Sequence, residues 1–234
     1  MDENFITNKL TKDNLDNYFI RTSIFKCIQN NTHLFSGKLL DSGCGKMPYK
    51  SYILTNSEVE EYIGLDIENS LEYDAKIKPD ATWDGITMPF EDNSFDCILS
   101  TEVLEHCFDF KHYIKENVRV LKPGGYFFFT VPYLWPLHET PHDNFRYTPF
   151  ALRTAFKEFN KREVEIFALG GWNASLATML GLWVSRYVSK KKSRYLKPLF
   201  LHIIKKLIKK DKPPKEFNDN TMITGLYGYV KKDL

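Results

Sequence analysis

Two short segments carry residue types spaced for binding a nucleoside: Leu39-Leu40-Asp41-Ser42-Gly43-Cys44-Gly45 and, about twenty residues later, Tyr62-Ile63-Gly64-Leu65-Asp66. An apolar run that ends in an acid and a G-x-G turn describes a first parallel strand followed by backbone that comes close to a ligand. The second run delivers a carboxylate to the same sheet edge, at a separation that suits a ribose hydroxyl pair. Fine spacing narrows the ligand. A dinucleotide turn needs a third glycine three residues after Gly45, where Pro48 stands; a phosphate loop needs Gly-Lys-Ser/Thr, but Met47 follows Gly45-Lys46. A ligand with ribose and no pyrophosphate fits better, and S-adenosylmethionine is the common one.

Further segments follow in a familiar order: Thr87-Met88-Pro89-Phe90-Glu91-Asp92-Asn93-Ser94-Phe95-Asp96-Cys97-Ile98-Leu99-Ser100, then Glu102-Val103-Leu104-Glu105-His106, then Arg119-Val120-Leu121-Lys122-Pro123-Gly124-Gly125. Together they resemble the class I S-adenosylmethionine-dependent methyltransferases of type 11, over roughly residues 35 to 170 and again at the end of the chain. The stretches Trp135-Pro136-Leu137-His138-Glu139 and Pro141-His142-Asp143-Asn144-Phe145-Arg146-Tyr147-Thr148 are similar to a subgroup often associated with bacterial polysaccharide gene clusters. The resemblance implies a Rossmann-like α/β fold, with a seven-stranded, mostly parallel sheet, an antiparallel edge strand and helices on both faces. It implies S-adenosylmethionine as cofactor, held by Asp41, Gly43, Gly45 and Asp66 with the adjoining Ile67, and lined by Ser42, Cys44 and Thr101. Asp84 aligns with the position that meets the adenine amine in relatives. Asp41 holds either the loop or the ammonium group.

Glu102, Glu105 and His106 have the E-x-x-E-H spacing of quinone-type O-methyltransferases, in which such residues hold a divalent cation. The reading adopted is simpler: a helix start, with Glu102 facing the cofactor, Glu105 and His106 paired locally, and no metal. His106 is a candidate base for an acceptor hydroxyl, because an imidazole titrates near working pH. His138, His142 and Asp143 compete for that role, since they follow the fifth expected strand. The alternative for this loop is a hydrogen-bonded lid. Arg146 is expected to meet an anionic group on the acceptor.

The elements that must position these residues can be read from periodicity. Leu15, Phe19, Ile20, Ile24 and Ile28 give a helical pattern over residues 13 to 31, within an N-terminal helical cap spanning 1–36. Strands are expected near Lys38–Leu40, Glu61–Leu65, Asp80–Asp84, Phe95–Ser100, Tyr126–Val131, Glu163–Leu169 and Ile223–Lys231, the last antiparallel at the edge. Helices are expected at Tyr49–Leu54, Phe110–Val120 and from a Thr148 cap to Phe159. A chain of 234 residues with 43% hydrophobic residues makes one such domain and not two. Cys27, Cys44, Cys97 and Cys107 form no C-x-x-C pair, which predicts reduced thiols. With no secretory signal and no run of eighteen apolar residues, a cytoplasmic protein is expected.

Between strands six and seven lies an insertion, 172–220, where the family uses a shorter turn. From Arg186 to Glu216 it holds twelve Lys or Arg against two acids, which leaves the rest of the chain net acidic. Leu196, Leu199, Phe200, Ile203, Ile204 and Leu207 follow helical spacing, with Lys205, Lys206 and Lys209 on the far side. Such a helix lies on an anionic membrane, or else packs on the domain or a second subunit as in a homodimer. Ser100-Thr101-Glu102 stands where amine-methylating nucleic-acid enzymes carry N-P-P-Y, which argues against a nucleic-acid partner. The function expected is O-methylation of a small-molecule acceptor, a sugar or glycan intermediate. The rivals are a quinone-like or other lipophilic acceptor, and a non-catalytic cofactor-binding subunit of a glycan-assembly complex.

Overall fold

A computed structural model describes residues 6, 9–68, 78–159 and 164–233. In chain order the elements are α1 (Tyr18–Asn30), β1 (Ser36–Ser42), α2 (Lys50–Asn56), β2 (Glu58–Ile67), β3 (Ala81–Trp83), β4 (Phe95–Thr101), α3 (Phe110–Val120), β5 (Leu121–Pro132), α4 (Pro149–Lys157), β6 (Glu165–Leu169), α5 (Trp172–Leu182), α6 (Lys190–Lys210) and β7 (Gly225–Lys231). A short π-helical turn, Trp183–Tyr187, joins α5 to α6.

The strands form one sheet in the order β3-β2-β1-β4-β5-β7-β6. The first five are mutually parallel, and β7 runs antiparallel to both β5 and β6. The antiparallel strand therefore sits one place in from the edge, which β6 forms. Sequence places β7 at the rim because strand order is a long-range property that local patterning does not carry.

Helices α1 and α2 cover one face through Ile20, Ile24, Phe25, Ile28 and Ile53. Helices α3 and α4 cover the other through Tyr113, Ile114, Val120, Leu152 and Phe156. Burial on both faces explains the unbroken apolar run of β4, whose Phe95, Cys97, Ile98 and Leu99 are fully buried. Two caps follow their sequence signals. The Asp109 side chain accepts from His112 N–H at 3.0 Å and starts α3, and Thr148 accepts from Ala151 N–H at 3.2 Å ahead of Pro149.

The 172–220 insertion forms α5 and α6, an antiparallel pair with its own small core of Leu15, Ala177, Val184 and Ile204. Leu196, Phe200 and Leu207 pack against that core, so most of the stripe expected to face a membrane is covered by α5. Leu199 alone of that stripe is clearly exposed. Asp211, just past α6, caps the start of α5 by accepting from Gly171 N–H at 2.9 Å and Ala174 N–H at 2.8 Å. No helix among the described residues is long and apolar enough to cross a membrane.

Candidate cofactor and acceptor site

Strand order reverses between β1 and β4, so the chain leaves their C-terminal ends in opposite directions and opens a crevice there. The segments singled out by sequence end at that crevice: Asp41 to Gly45 after β1, Asp66 at the end of β2, Thr101 and Glu102 after β4. Gly43 (φ +75°) and Gly45 (φ +47°) adopt the left-handed conformation that glycine takes without strain. A Cβ on Gly43 would lie 2.5 Å from a Val103 methyl carbon, so the turn fits glycine sterically as well. Gly43 N–H and Cys44 N–H both donate to the Leu65 carbonyl, at 2.8 and 3.0 Å, and tie the turn to β2.

Asp66 completes the frame. Its Oδ2 accepts from Gly45 N–H at 2.9 Å and its Oδ1 from Ile67 N–H at 2.8 Å. Each oxygen keeps a further lone pair for a ribose hydroxyl. Partial burial raises its carboxyl above the ordinary range. Beside it Ile67 is 48% exposed, an apolar side chain left open at the mouth of the crevice.

Other expected residues fall elsewhere. Asp41 is buried and its Oδ2 accepts from the Tyr62 hydroxyl at 2.5 Å, so it holds the loop from beneath. Burial pushes its carboxyl up to about 7, against the opposing pull of that hydrogen bond. Ser42 is also wholly buried and does not line the crevice, because its hydroxyl accepts from Tyr113 at 2.8 Å. Cys44 is buried in the same turn, where desolvation raises its thiol. Tyr113, missed in the sequence, also lies 2.9 Å from the Ser100 hydroxyl and so braces β1 against β4. Its signal was a hydroxyl on the apolar face of α3. Asp84 is exposed, and its Oδ1 accepts from Ile86 and Thr87 N–H at 2.8 and 3.2 Å. Those bonds lower its carboxyl. Thr101 is half-buried at the end of β4.

Glu102 follows with φ +56°, a conformation uncommon outside glycine and a mark of functional segments. Its Oε1 accepts from the Thr130 hydroxyl at 2.9 Å, and desolvation raises its carboxyl. Three residues on, Glu105 is fully buried and burial raises it well above the carboxylate range.

The 133–148 loop docks on this segment. Asn144 and Phe145 N–H donate to the Glu105 carbonyl at 2.9 and 3.2 Å, and the Tyr147 hydroxyl donates to the Leu104 carbonyl at 2.8 Å. Docking brings His138 against His106, with ring centroids 4.7 Å apart. The Arg146 guanidinium grips Asp143 through two hydrogen bonds of 2.6 and 2.8 Å and so braces the loop. Asp143 in turn is held down at about 2 by that guanidinium, too low for a general base. His142 contributes its carbonyl, 3.1 Å from His106 Nδ1, in place of its ring. Desolvation, with His106 alongside, lowers the His138 imidazole. The histidines thus divide: His106 and His138 come together, while His142 and Asp143 support them.

Residues 40–129, from the last turns of β1 to the middle of β5, match the family described as the methyltransferase domain. Residues 40–129 are thus similar to that domain. A phthiotriol/phenolphthiotriol dimycocerosates methyltransferase of Mycobacterium ulcerans is 34% identical over 108 residues, 42% of this chain and 40% of that protein. A fatty-acid O-methyltransferase of Mycolicibacterium smegmatis is 29% identical over 106 residues, 40% of this chain and 36% of its own. The alignments thus span about two fifths of these relatives' length. Among solved structures, an S-adenosylmethionine-dependent methyltransferase from Archaeoglobus fulgidus superposes with a TM-score of 0.55 at 17% identity, covering 93% of this chain and 100% of that one. The fold is that of class I methyltransferases. The cofactor of such methyltransferases is S-adenosylmethionine, and the residues at the crevice fit it: a glycine turn with no room for a Cβ, a half-buried carboxylate with spare lone pairs, and an open apolar side chain beside it.

Proposed function

We propose that the chain is an S-adenosylmethionine-dependent O-methyltransferase acting on a lipophilic small molecule. The observation that carries the reading is the coincidence of the methyltransferase-domain match with the Asp66 and glycine-turn frame at the strand-order reversal. The bound cofactor supplies a sulfonium methyl group open to displacement. Asp66 receives the ribose hydroxyls, Gly43 and Gly45 allow close approach of backbone, and Ile67 covers the adenine, with Asp84 reaching its amine. His106, His138 and Glu105 receive the acceptor hydroxyl; its oxygen would bond to the methyl carbon as the carbon–sulfur bond breaks to leave the thioether, and its proton would pass to solvent water.

A lipophilic acceptor is favoured over the glycan expected from the 135–148 motifs. Neither relative named above is described as acting on a glycan, and both printed names point to lipids. The exposed face of α5 and the turn after it adds support: Trp172, Leu176, Met179 and Trp183 recur at helical spacing and are 43–66% exposed. Incubating the full chain with methyl-labelled cofactor and matched sets of long-chain hydroxylated lipids, quinols and oligosaccharides tests the reading. Label is expected in the lipid or quinol set, and His106→Ala is expected to cut turnover roughly 10²–10⁴-fold while sparing cofactor affinity. Label confined to oligosaccharide would reject the acceptor class; no transfer to any set despite cofactor binding favours the non-catalytic rival.

A further inference from the structure

Glu105 is wholly buried, and neither carboxylate oxygen has a hydrogen-bond partner among the described residues. A buried carboxylate in that state is costly unless a cation meets it. Its Oε1 lies 3.7 Å from His106 Nε2 and 3.8 Å from His138 Nε2. The far nitrogens of both rings face acceptors. His106 Nδ1 is 3.1 Å from the His142 carbonyl oxygen, which only accepts, so the ring proton sits on Nδ1 and Nε2 presents its lone pair inward. His138 Nδ1 is 3.2 Å from Asp143 Oδ2 without making a hydrogen bond to it, and the same oxygen accepts from the His138 backbone N–H at 3.1 Å, which fixes where the second ring sits.

We propose that Glu105, His106 and His138 hold a divalent transition-metal ion of the zinc type, with one position open toward the acceptor. Their three ligand atoms all lie within 4.8 Å of one another. Tetrahedral bonds of about 2.0–2.2 Å bring neighbouring donors to roughly 3.3–3.6 Å, so the carboxylate–imidazole pairs close by a few tenths of an ångström and the two rings, within 4.8 Å, by up to about an ångström more as the 138 loop moves in. Two imidazoles and one carboxylate are a zinc-like donor set, whereas magnesium and calcium prefer oxygen alone. An outer partner such as the His142 carbonyl on His106 is a usual companion of a ligating histidine. This set is not the one suggested by the E-x-x-E-H spacing, since Glu102 is engaged with Thr130 and His138 comes from a loop 32 residues after His106. What the ion does rests on the methyl-transfer reading: it ligates the acceptor oxygen and lowers its affinity for the proton. Ion binding is measured without turnover, so the two fail separately.

The test is zinc content of the purified full chain by elemental mass spectrometry, after metal stripping, incubation with zinc chloride and desalting. The wild type is expected to keep about one zinc per chain, with a rise in thermal midpoint that magnesium does not reproduce. Glu105→Gln and His138→Ala are expected to lose that uptake, Asp143→Asn to weaken it by about 10–100-fold, and His202→Ala, exposed on α6, to retain it. Circular dichroism and S-adenosylhomocysteine binding report whether each variant folds. A wild type that keeps no zinc, or folded His138→Ala that keeps it as the wild type does, overturns the proposal. Because His138 lies on a loop, that variant decides even if Glu105→Gln does not fold.

Discussion

Asp41 sits where the binding turn meets the core, and its environment makes it a reporter of that junction. Its carboxyl titrates near 7 in the folded chain, against 3.8 ordinarily, because burial outweighs the Tyr62 hydrogen bond. A folded-state pKa above the unfolded one stabilises the fold fully below about pH 4, and the benefit is lost as pH rises through 7. Urea denaturation of the ligand-free protein is therefore expected to show stability falling between pH 5 and pH 8, with a much flatter dependence in Asp41→Asn. An equal slope in both would remove Asp41 as the cause. Several roles at this scale were legible in the sequence. Glycine at a turn, a carboxylate at a strand end and a threonine before a helical proline are local chemistry, and Gly43, Gly45, Asp66 and Thr148 carry them as expected. Arg146 was not legible, because only the path of its loop decides that Asp143 is its partner. Nor was the meeting of His106 with His138, which depends on the loop docking onto the Glu105 backbone.

Among the elements, β1 to β5, α3 and α4 follow hydrophobic periodicity and turn signals closely enough that sequence places them within a few residues. The α5–α6 pair shows where such reading stops. An amphipathic pattern says that α6 has an apolar face and not what covers it; in the fold α5 and the turn after it do so, through Ala177 and Val184 against Ile204. Ile204 is 1% exposed and Leu199 is 57% exposed, on one helix. Ile204→Ala is expected to cost about 2–5 kcal/mol of stability and Leu199→Ala within about 0.5 kcal/mol, measured by chemical denaturation. Equal, small costs would mean that the α6 face is uncovered after all. The position of β7 between β5 and β6 belongs to the same class of long-range facts.

For the whole molecule, the sheet sets one working edge and the insertion adds a second surface beside it. The exposed α5 residues and the lysines of the 186–216 segment combine apolar area with positive charge, the pairing that favours an anionic lipid surface and weakens as salt screens it. Flotation with phosphatidylglycerol-rich vesicles is expected to carry the chain upward at low salt and to release it at high salt. Trp183→Ala combined with Met179→Ala is expected to reduce binding. Failure to float at low salt would confine the insertion to a structural role and leave the cofactor site untouched, since its residues all precede residue 103.

The central claim is that the glycine turn and Asp66 form an S-adenosylmethionine site, and calorimetric titration with S-adenosylhomocysteine tests it most directly. One-to-one binding is expected for the wild type, with Asp66→Ala weaker by about 1.5–3 kcal/mol, the scale of hydrogen bonds made to a charged group. A wild-type chain that binds none, or a folded Asp66→Ala chain that binds as tightly as the wild type, would contradict it.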